Sequence, residues 1–298
     1  MRLGWLFAAL TFAFATPAAA ATCKDPEGLG AITASKARFI IFGELHGTEQ
    51  SPTFVGDVAC ALVTKHLHIL VALELGSPAN PALQAAWAGP QEGFAETLIR
   101  TMPDWVERND GVTSRAMLAM LVRLHDLKAQ GHAIAVVAFN GARDAAQHDK
   151  FKDLPGQGGH EAAQAENIRN AAEAGRYDRV LVLVGNAHAR KVPIDRHGPV
   201  YEPMAMRLAP PAKILTLDMA HAPGSAWNCQ IKGDYKGGPI SPDAVDCSAH
   251  QITGGAITGE ARLLLNKDLP ASAPGDPAYD GVFFVGPVSA SPPVGTKP

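Results

Sequence analysis

The 298-residue chain lacks the short motifs that identify many hydrolases and nucleotide-binding proteins. It has no GxSxG nucleophile elbow, no Walker loop, no HExxH and no complete GxGxxG, since "GLGAIT" lacks the last glycine. Its formal net charge of -3 gives no electrostatic reason to bind nucleic acid. These absences argue against serine hydrolases, zincins, nucleotide-binding and dinucleotide-binding proteins, and against nucleic acid as a partner.

Long apolar runs are absent except at the N-terminus. Arg2 precedes an apolar stretch over residues 3–15, and three alanines at 18–20 form a small-residue cleavage site. The stretch is short for a membrane span, so it predicts a signal peptide over residues 1–20. Cys23 follows Thr22, which disfavours a lipid-attachment signal. We therefore expect a periplasmic or secreted protein with no transmembrane segment in the mature chain.

Cysteine is scarce, with four residues and no CxxC pair. In an exported chain these residues favour disulfides over a thiol nucleophile. Cys229 and Cys247 share one Gly/Pro-rich segment and are the predicted bridge, worth roughly 3 kcal/mol in the chain-entropy model. Cys23 and Cys60 could form a second bridge, or Cys60 could be a free core thiol; the sequence leaves both open.

Five short, nearly continuous apolar runs alternate with helical patterns. Such runs are typical of strands that are buried on both faces of a sheet. The runs are "ARFIIFGE", "HILVALELG", "AIAVVAFN", "RVLVLVGNAH" and "AKILTLDMAH". Because helices lie between them, the sequence predicts an α/β fold with a mostly parallel or mixed central sheet and helices on both faces.

The amino-acid composition of the chain changes near residue 222. From there Pro and Gly dominate, and "DGVFFVGP" near the end is the one strand-like run. We divide the mature chain into an α/β domain over residues 21–222 and an irregular extension over 223–298. The extension is expected to pack on the sheet domain, to add an edge strand, and to end in a disordered tail.

Polar and titratable residues follow each predicted strand. In an open α/β sheet the ligand site lies beyond the carboxyl ends of the strands. Glu44 and His46 end the first strand, Glu74 the second, and His188 the fourth. Carboxylates and imidazoles are the groups used in acid–base catalysis and metal binding. The weaker candidates at these ends are Asn140, Arg143, Asn186, Asp218 and His221.

The first strand delivers the most informative pair. Glu44 and His46 are two residues apart, so on an extended backbone both side chains project to the same face. A carboxylate beside an imidazole raises its pKa or fixes its tautomer. The alternative is that Glu44 and His46 have no function beyond hydrogen bonds to loop amides at the end of the strand. Glu74, carried by an apolar strand, needs a cation, a metal or a hydrogen-bonding partner, and a structural Arg or Lys would also serve.

These motifs resemble a known superfamily. "FGELHG", "ALELG" and "LVGNAHARK", in that order, are similar to the pattern of the haem-binding ChaN-like proteins, the erythromycin esterases and the Tiki proteases. The single residue between Glu44 and His46 resembles the ChaN-like branch. "HEAAQAENI" is similar to a helix that in many relatives begins Arg-Asp or Arg-Glu, with His160 in place of the arginine and Gln164 in place of a later methionine.

The resemblance covers roughly residues 37–220 and implies that Glu44, His46, Glu74 and His188 form one site. It implies three activities: hydrolysis with a His base, hydrolysis with a divalent metal held by these four residues, or haem binding with His46 or His188 as ligand. The substrate would be a small molecule or a peptide. None of the four tyrosines lies near the GELHG segment in sequence, which disfavours a tyrosine-ligated haem. The first hypothesis is hydrolysis of an ester or amide, in which His46, oriented by Glu44 or Glu74, activates a water directly or on a metal. Haem or iron binding is the alternative, and a degenerate relative that keeps the site only as a structural network is a third possibility.

Overall fold

A computed structural model describes residues 23–195, 198–233 and 240–295. The predicted signal peptide over residues 1–20 lies outside these ranges, so it stays a prediction. Within the described residues, no helix combines the length and the apolar character that crossing a membrane requires.

A seven-stranded sheet forms the centre of the protein, and the five predicted strands are β1 to β5 of this sheet. Its order is β3-β2-β4-β1-β5-β9-β8, and every neighbouring pair is parallel except β8 with β9. A separate antiparallel hairpin joins β6 and β7. The strands are β1 (Phe39–Glu44), β2 (Ile69–Gly76), β3 (Ile134–Asn140), β4 (Arg179–Gly185), β5 (Ile214–Ala222), β6 (Gly224–Ile231), β7 (Val245–Ile252), β8 (Arg262–Leu265) and β9 (Gly281–Pro287). The predicted fold class is confirmed.

Helices cover both faces of the sheet. They are α1 (Gly30–Thr33), α2 (Gln50–Thr64), α3 (Asn80–Ala88), α4 (Phe94–Thr101), α5 (Asp104–Glu107), α6 (Arg115–Ala129), α7 (Ala145–Phe151), α8 (Gly158–Ala174) and α9 (Met204–Leu208). Side chains of β1 alternate between two cores because successive strand residues point to opposite faces. Ile40 and Phe42 pack with α2 and α6, whereas Phe39 and Ile41 pack with α8 and α9. This two-sided burial explains why the strand is continuously apolar.

Local sequence signals set several helix ends. Ser114 caps α6, because its side chain accepts a hydrogen bond from Met117 N at 3.2 Å. After the same helix Gly131 takes a positive φ of 91°, a conformation that favours glycine. Helix α8 ends at Ala174, immediately before Gly175.

The C-terminal region is more regular than its composition indicates. It contains β6 to β9, and β9 lies inside the sheet between β5 and β8, so the expected edge strand is β8 instead. The four-residue run of β8 is too short to stand out in the sequence. Residues 289–295, part of the tail that was expected to be disordered, contact the segment that follows β1. Ser291 N donates to Gly47 O at 2.8 Å, and Thr48 and Ala290 form a β-bridge. Residues 296–298 lie outside the described ranges.

Two disulfides cross-link the described chain. Cys229 and Cys247 are direct partners across the β6–β7 hairpin, and the predicted bond joins them. Cys23 is bonded to Cys60 in α2, with a Cα–Cα distance of 5.4 Å. The sequence left this second bridge open. Two disulfides are typical of proteins that fold in an oxidising compartment.

Candidate functional site: two histidines facing one carboxylate

The order of the central strands brings the four principal residues together. Strand β4 lies between β1 and β2, and all three are parallel, so their carboxyl ends share one edge. In the register, Glu44 stands beside Gly185, the last residue of β4. The 3-10 turn Asn186–Ala189 follows at once and carries His188. A single sheet edge therefore presents Glu44, His46, Glu74 and His188.

The first pair is Glu44 with His46. His46 Nδ1 donates to Glu44 Oε1 at 2.9 Å, as expected from two residues on one face of an extended backbone. Glu44 is 4% exposed, and the side chain of His46 is 24% exposed. The carboxylate is buried and fixed, and the imidazole reaches the surface of the site.

Glu74 lies between the two imidazoles. Its Oε2 accepts a hydrogen bond from Gly185 N at 2.6 Å and is 3.4 Å from His46 Nε2. Its Oε1 is 3.7 Å from His188 Nε2. The partners of this buried carboxylate are therefore two histidines and a backbone amide, and not the structural Arg or Lys that the sequence left open.

Glu161 in α8 completes a second carboxylate–imidazole pair. His188 Nδ1 lies 2.7 Å and 2.9 Å from the two carboxylate oxygens of Glu161. Glu161 Oε2 also accepts a hydrogen bond from Met204 N at 2.7 Å, and the residue is 1% exposed. We did not predict Glu161 as a site residue. The one signal for it is the resemblance of "HEAAQAENI" to a helix of the superfamily, in which Glu161 keeps the acidic position.

The charges of the cluster shift its pKa values strongly. Burial alone would lower the pKa of His46, but the carboxylates of Glu74 and Glu44 outweigh it and raise this pKa well above its ordinary value. The pKa of His188 is also raised, because the Glu161 and Glu74 carboxylates overcome its burial. Burial opposes ionisation of Glu74, yet the two imidazoles lower its pKa to about 2. The cluster thus holds an ionised carboxylate between two imidazoles whose pKa values are raised.

A polar layer from β3 and α8 borders the cluster. Gln164 Nε2 donates to Asn140 Oδ1 at 2.8 Å and to His160 Nε2 at 2.9 Å. The ring of His160 lies 5.8 Å from the ring of His188, centroid to centroid. Burial and the charge of His188 lower the pKa of His160, which favours a neutral acceptor nitrogen here. Asn140 therefore belongs to the surroundings of the site and does not contact the principal imidazoles.

Two features of the cluster bear on what it can bind. Glu44 Oε2 is buried and has no hydrogen-bond partner among the described atoms, an arrangement that is costly unless a donor reaches it. Gly185 leaves room between the facing groups, because a methyl group there would lie 2.9 Å from His46 Nε2 and 3.6 Å from Glu74 Oε2. A side chain in place of Gly185 would therefore crowd His46 and Glu74.

The other predicted candidates divide into two groups. Asp218 stands beside Gly43 in the sheet and bonds to the side chain of Asn186, while burial raises its pKa to about 6. Both residues thus support the turn that carries His188. Arg143 contacts Glu166 at 3.2 Å instead of the cluster, and His221 Nδ1 lies 2.9 Å from Ala222 O on β5. The structure does not bring these last two into the site.

The donors of the cluster are of the types that bind metal, but their spacing differs from that of a metal site. Imidazoles that bond a carboxylate through Nδ1 and present Nε2 are common metal ligands. In the part of the chain that the structure describes, however, no group of three or more His, Cys, Asp or Glu side chains is placed to hold a metal ion. As described, the cluster is a hydrogen-bonded acid–base network.

Solved structures share this fold at low sequence identity. A succinoglycan biosynthesis protein is similar with a TM-score of 0.60 and 13% identity, over 89% of this chain and 92% of that chain. A mutant of erythromycin esterase EreC in its open conformation has a TM-score of 0.57 and 13% identity, over 86% and 91%. A haem-binding ChaN of Campylobacter jejuni has a TM-score of 0.38 and 14% identity, over 63% and 84%.

The similarities to the succinoglycan biosynthesis protein and to EreC identify the fold of this chain. The chain shares the fold of erythromycin esterase EreC and of the succinoglycan biosynthesis protein, which confirms the predicted resemblance to the erythromycin esterases at the level of architecture. No protein-family model matches the chain, and no curated protein matches it significantly by sequence.

Proposed function

We propose that the protein is an exported hydrolase that activates water with an imidazole and cleaves an ester or amide. The observation that carries this proposal is the pair of histidines, each oriented through Nδ1 by a buried carboxylate and each directing Nε2 toward Glu74. A carboxylate that fixes the tautomer and orientation of an imidazole is the arrangement that general bases use. Export is supported by the two disulfides.

The surroundings of the two imidazoles suggest different roles. The resemblance implied His46 as the base, but His46 lies between two carboxylates, and its pKa is raised well above the ordinary value. It therefore keeps its proton at neutral pH and suits the role of a hydrogen-bond donor to a developing oxyanion. His188 Nε2 is 3.7 Å from Glu74, which is too long for a hydrogen bond, so this nitrogen is available to a water.

The proposed reaction follows from these roles. His188 Nε2 takes a proton from a water while the water oxygen attacks the carbonyl carbon of the substrate. The imidazolium of His46 stabilises the negative charge on the former carbonyl oxygen. When the tetrahedral intermediate collapses, the bond to the leaving group breaks and His188 returns the proton to that group. Glu74, with a pKa of about 2, stays ionised and supports the imidazolium that forms.

Divalent-metal hydrolysis is the second candidate, favoured by the donor types of the cluster. His46, His188 and Glu74 would hold the ion, which would lower the pKa of a bound water. The chemistry of the donors fits a metal, but their spacing in the described residues does not, so no step is assigned to it. Metal analysis of the purified mature protein tests this candidate, and a stoichiometric divalent ion would establish it.

Haem binding is the remaining alternative, and the surroundings of the cluster do not fit it. Haem needs an apolar slot beside its axial ligand. The two imidazoles are instead surrounded by the carboxylates of Glu44, Glu74 and Glu161. Tyr279 lies near the turn of His188, but its hydroxyl donates to Asn186 O at 2.8 Å. Adding hemin at micromolar protein tests this alternative, and we expect no Soret shift.

The proposal is tested by turnover of short-chain chromogenic esters and amides. His188→Gln and His46→Gln should each abolish turnover, while circular dichroism shows that both variants stay folded. His148→Gln is the matched control, because His148 is exposed and contacts Asp149 at 3.6 Å, away from the cluster. Turnover that survives in His188→Gln at the wild-type rate would rule out His188 as the base.

A further inference from the structure

The C-terminal region contacts the turn that carries His188. The segment Asp276–Asp280, which precedes β9, lies against residues 186–191, which follow β4. We propose that this segment positions His188 for catalysis, with Tyr279 as its central positioning residue. This inference rests on the proposed hydrolase function, in which His188 must hold its Nε2 at a defined place.

Tyr279 holds the first residue of the turn. Its hydroxyl donates to the main-chain oxygen of Asn186 at 2.8 Å, and its ring is buried in the core between the sheet and α8. Arg190 lies over the ring at 5.6 Å. Burial and the nearby carboxylate of Asp218 raise the pKa of Tyr279 to about 12, so the hydroxyl stays a donor over the working pH range. This contact is therefore a fixed constraint on the start of the turn.

Three further contacts join the segment to Arg190 and Lys191, which directly follow the turn. Ala278 O accepts a hydrogen bond from Lys191 N at 2.8 Å. Asp276 Oδ2 accepts one from Arg190 Nη1 at 3.0 Å, and Asp280 Oδ1 pairs with Lys191 Nζ at 2.7 Å. Both ends of the His188 turn are thus bonded to one short segment.

The segment is itself anchored to the sheet. Asp280 Oδ2 accepts a hydrogen bond from Thr216 N in β5 at 2.9 Å, and Asp280 N donates to Thr216 O at 2.9 Å. Asp276 Oδ1 accepts one from Ala278 N at 2.8 Å, which shapes the loop. Because its own position is fixed by β5, the segment can transmit that position to the turn.

His188 is thereby held on two sides. Glu161 fixes the imidazole through Nδ1, and Tyr279 fixes the main chain two residues earlier. A four-residue 3-10 turn has few internal hydrogen bonds, so its geometry depends on its neighbours. If the hydrogen bond of Tyr279 is lost, the imidazole of His188 keeps its hydrogen bond to Glu161 but can rotate about it. The 3.7 Å distance between His188 Nε2 and Glu74 Oε1 is then no longer fixed. A displacement of this kind reduces rate more than substrate affinity.

Tyr279→Phe tests the inference because it removes the hydroxyl and keeps the buried ring. We expect kcat to fall roughly 10-fold with KM changed less than about 2-fold. In a profile of rate against pH, the acid limb, which reports the ionisation of His188, should also shift. A purely structural defect would leave this limb unchanged. Tyr177→Phe is the matched control, because Tyr177 packs on His68 away from the site and should behave as wild type. A Tyr279→Phe enzyme with wild-type kcat would overturn the inference.

Two further measurements keep the outcome decisive. Asp276→Asn weakens the contact to Arg190 at a partly exposed position, so it should fold and should show the same kcat effect in smaller degree. The ring nitrogen resonances of His188 should shift in Tyr279→Phe and stay unchanged in Tyr177→Phe, which needs no substrate. Unchanged resonances would contradict the positioning role. If His188→Gln retains turnover, the proposed function fails; if it is inactive and Tyr279→Phe is normal, only the positioning role fails.

Discussion

Glu161 binds His188 Nδ1 with both carboxylate oxygens, at 2.7 and 2.9 Å, while its Oε2 also accepts the amide of Met204. The same relationship joins Glu44 to His46 on the other side of Glu74. Each imidazole thus has one nitrogen committed to a buried carboxylate and the other directed into the site. This arrangement fixes which nitrogen can exchange protons with a water or a substrate.

Glu161→Gln is expected to reduce kcat on the order of 100-fold, because a general base contributes roughly 10²- to 10⁴-fold only when it is correctly held. The amide removes the negative charge that raises the pKa of His188 and no longer fixes one tautomer. Glu166→Gln is the control, since Glu166 lies on the same helix but pairs with Lys150 and Arg143. Steady-state kinetics on both variants checks this prediction, and equal rates for the two would contradict it.

The residues at the strand ends could be predicted, and the helix residue could not. Glu44, Glu74 and His188 follow apolar runs, and parallel strands bring their carboxyl ends to one edge. Glu161 lies in a helix rich in Ala and Glu, where one acidic residue looks like any other until the fold shows which face meets His188. Only the similarity of "HEAAQAENI" to a superfamily helix could have marked it.

The C-terminal region escaped prediction for a different reason. Strand β9 pairs with β5, about 60 residues earlier in the chain, and no local periodicity encodes such a contact. Tyr279 belongs to a Pro/Gly-rich loop, so its contact with Asn186 is visible only once β9 is placed beside β5. Long-range pairing, and not local propensity, thus joins this region to the site.

The rate of hydrolysis should depend on pH in a bell shape. In the proposed mechanism His188 acts without its proton, so the rate rises as pH increases through its raised pKa. His46 acts with its proton, so the rate falls when His46 loses it at higher pH. The two imidazoles face one carboxylate, so both limbs belong to a coupled pair. Glu44→Gln removes a carboxylate that raises the pKa of His46, and it should move the alkaline limb to lower pH. A profile of kcat/KM against pH checks this, and an unmoved alkaline limb would argue against His46 as the donor.

Gly185→Ala should abolish the proposed hydrolysis without unfolding the protein. The new methyl group would lie 2.9 Å from His46 Nε2, in the space between the imidazole and Glu74. The imidazole must then shift, and the proposed reacting groups lose their alignment. Gly30→Ala is the control, because a methyl group there meets nothing within 4 Å. Turnover and thermal melting of both variants test the prediction, and near wild-type turnover in Gly185→Ala would place the reaction elsewhere.

Glu74 should make the protein sensitive to acid. Its folded pKa of about 2 lies below its ordinary value, so it stabilises the fold above pH 4.5, and this contribution is lost as pH falls toward 2. Linkage gives a loss of about 2 kcal/mol by pH 3. Urea unfolding at pH 6 and pH 3 measures it, and Glu74→Gln should lack this part of the pH dependence. Glu173→Gln, an exposed change on α8, should keep it.

The Cys23–Cys60 disulfide should stabilise the fold without taking part in the reaction. It closes a loop of 37 residues, which the chain-entropy model values at about 4 kcal/mol, against about 3 kcal/mol for the separation of 18 residues between Cys229 and Cys247. Cys23→Ala with Cys60→Ala should therefore lower the free energy of unfolding more than the corresponding change of the hairpin pair. Alanine suits the buried position of Cys60 because it introduces no unpaired polar group. Denaturant unfolding of the two double variants compares their free energies of unfolding. Turnover of the folded Cys23→Ala, Cys60→Ala variant should stay within about 2-fold of wild type, since neither cysteine touches the imidazoles. A larger loss of turnover at full folding would mean that α2 transmits its position to the site.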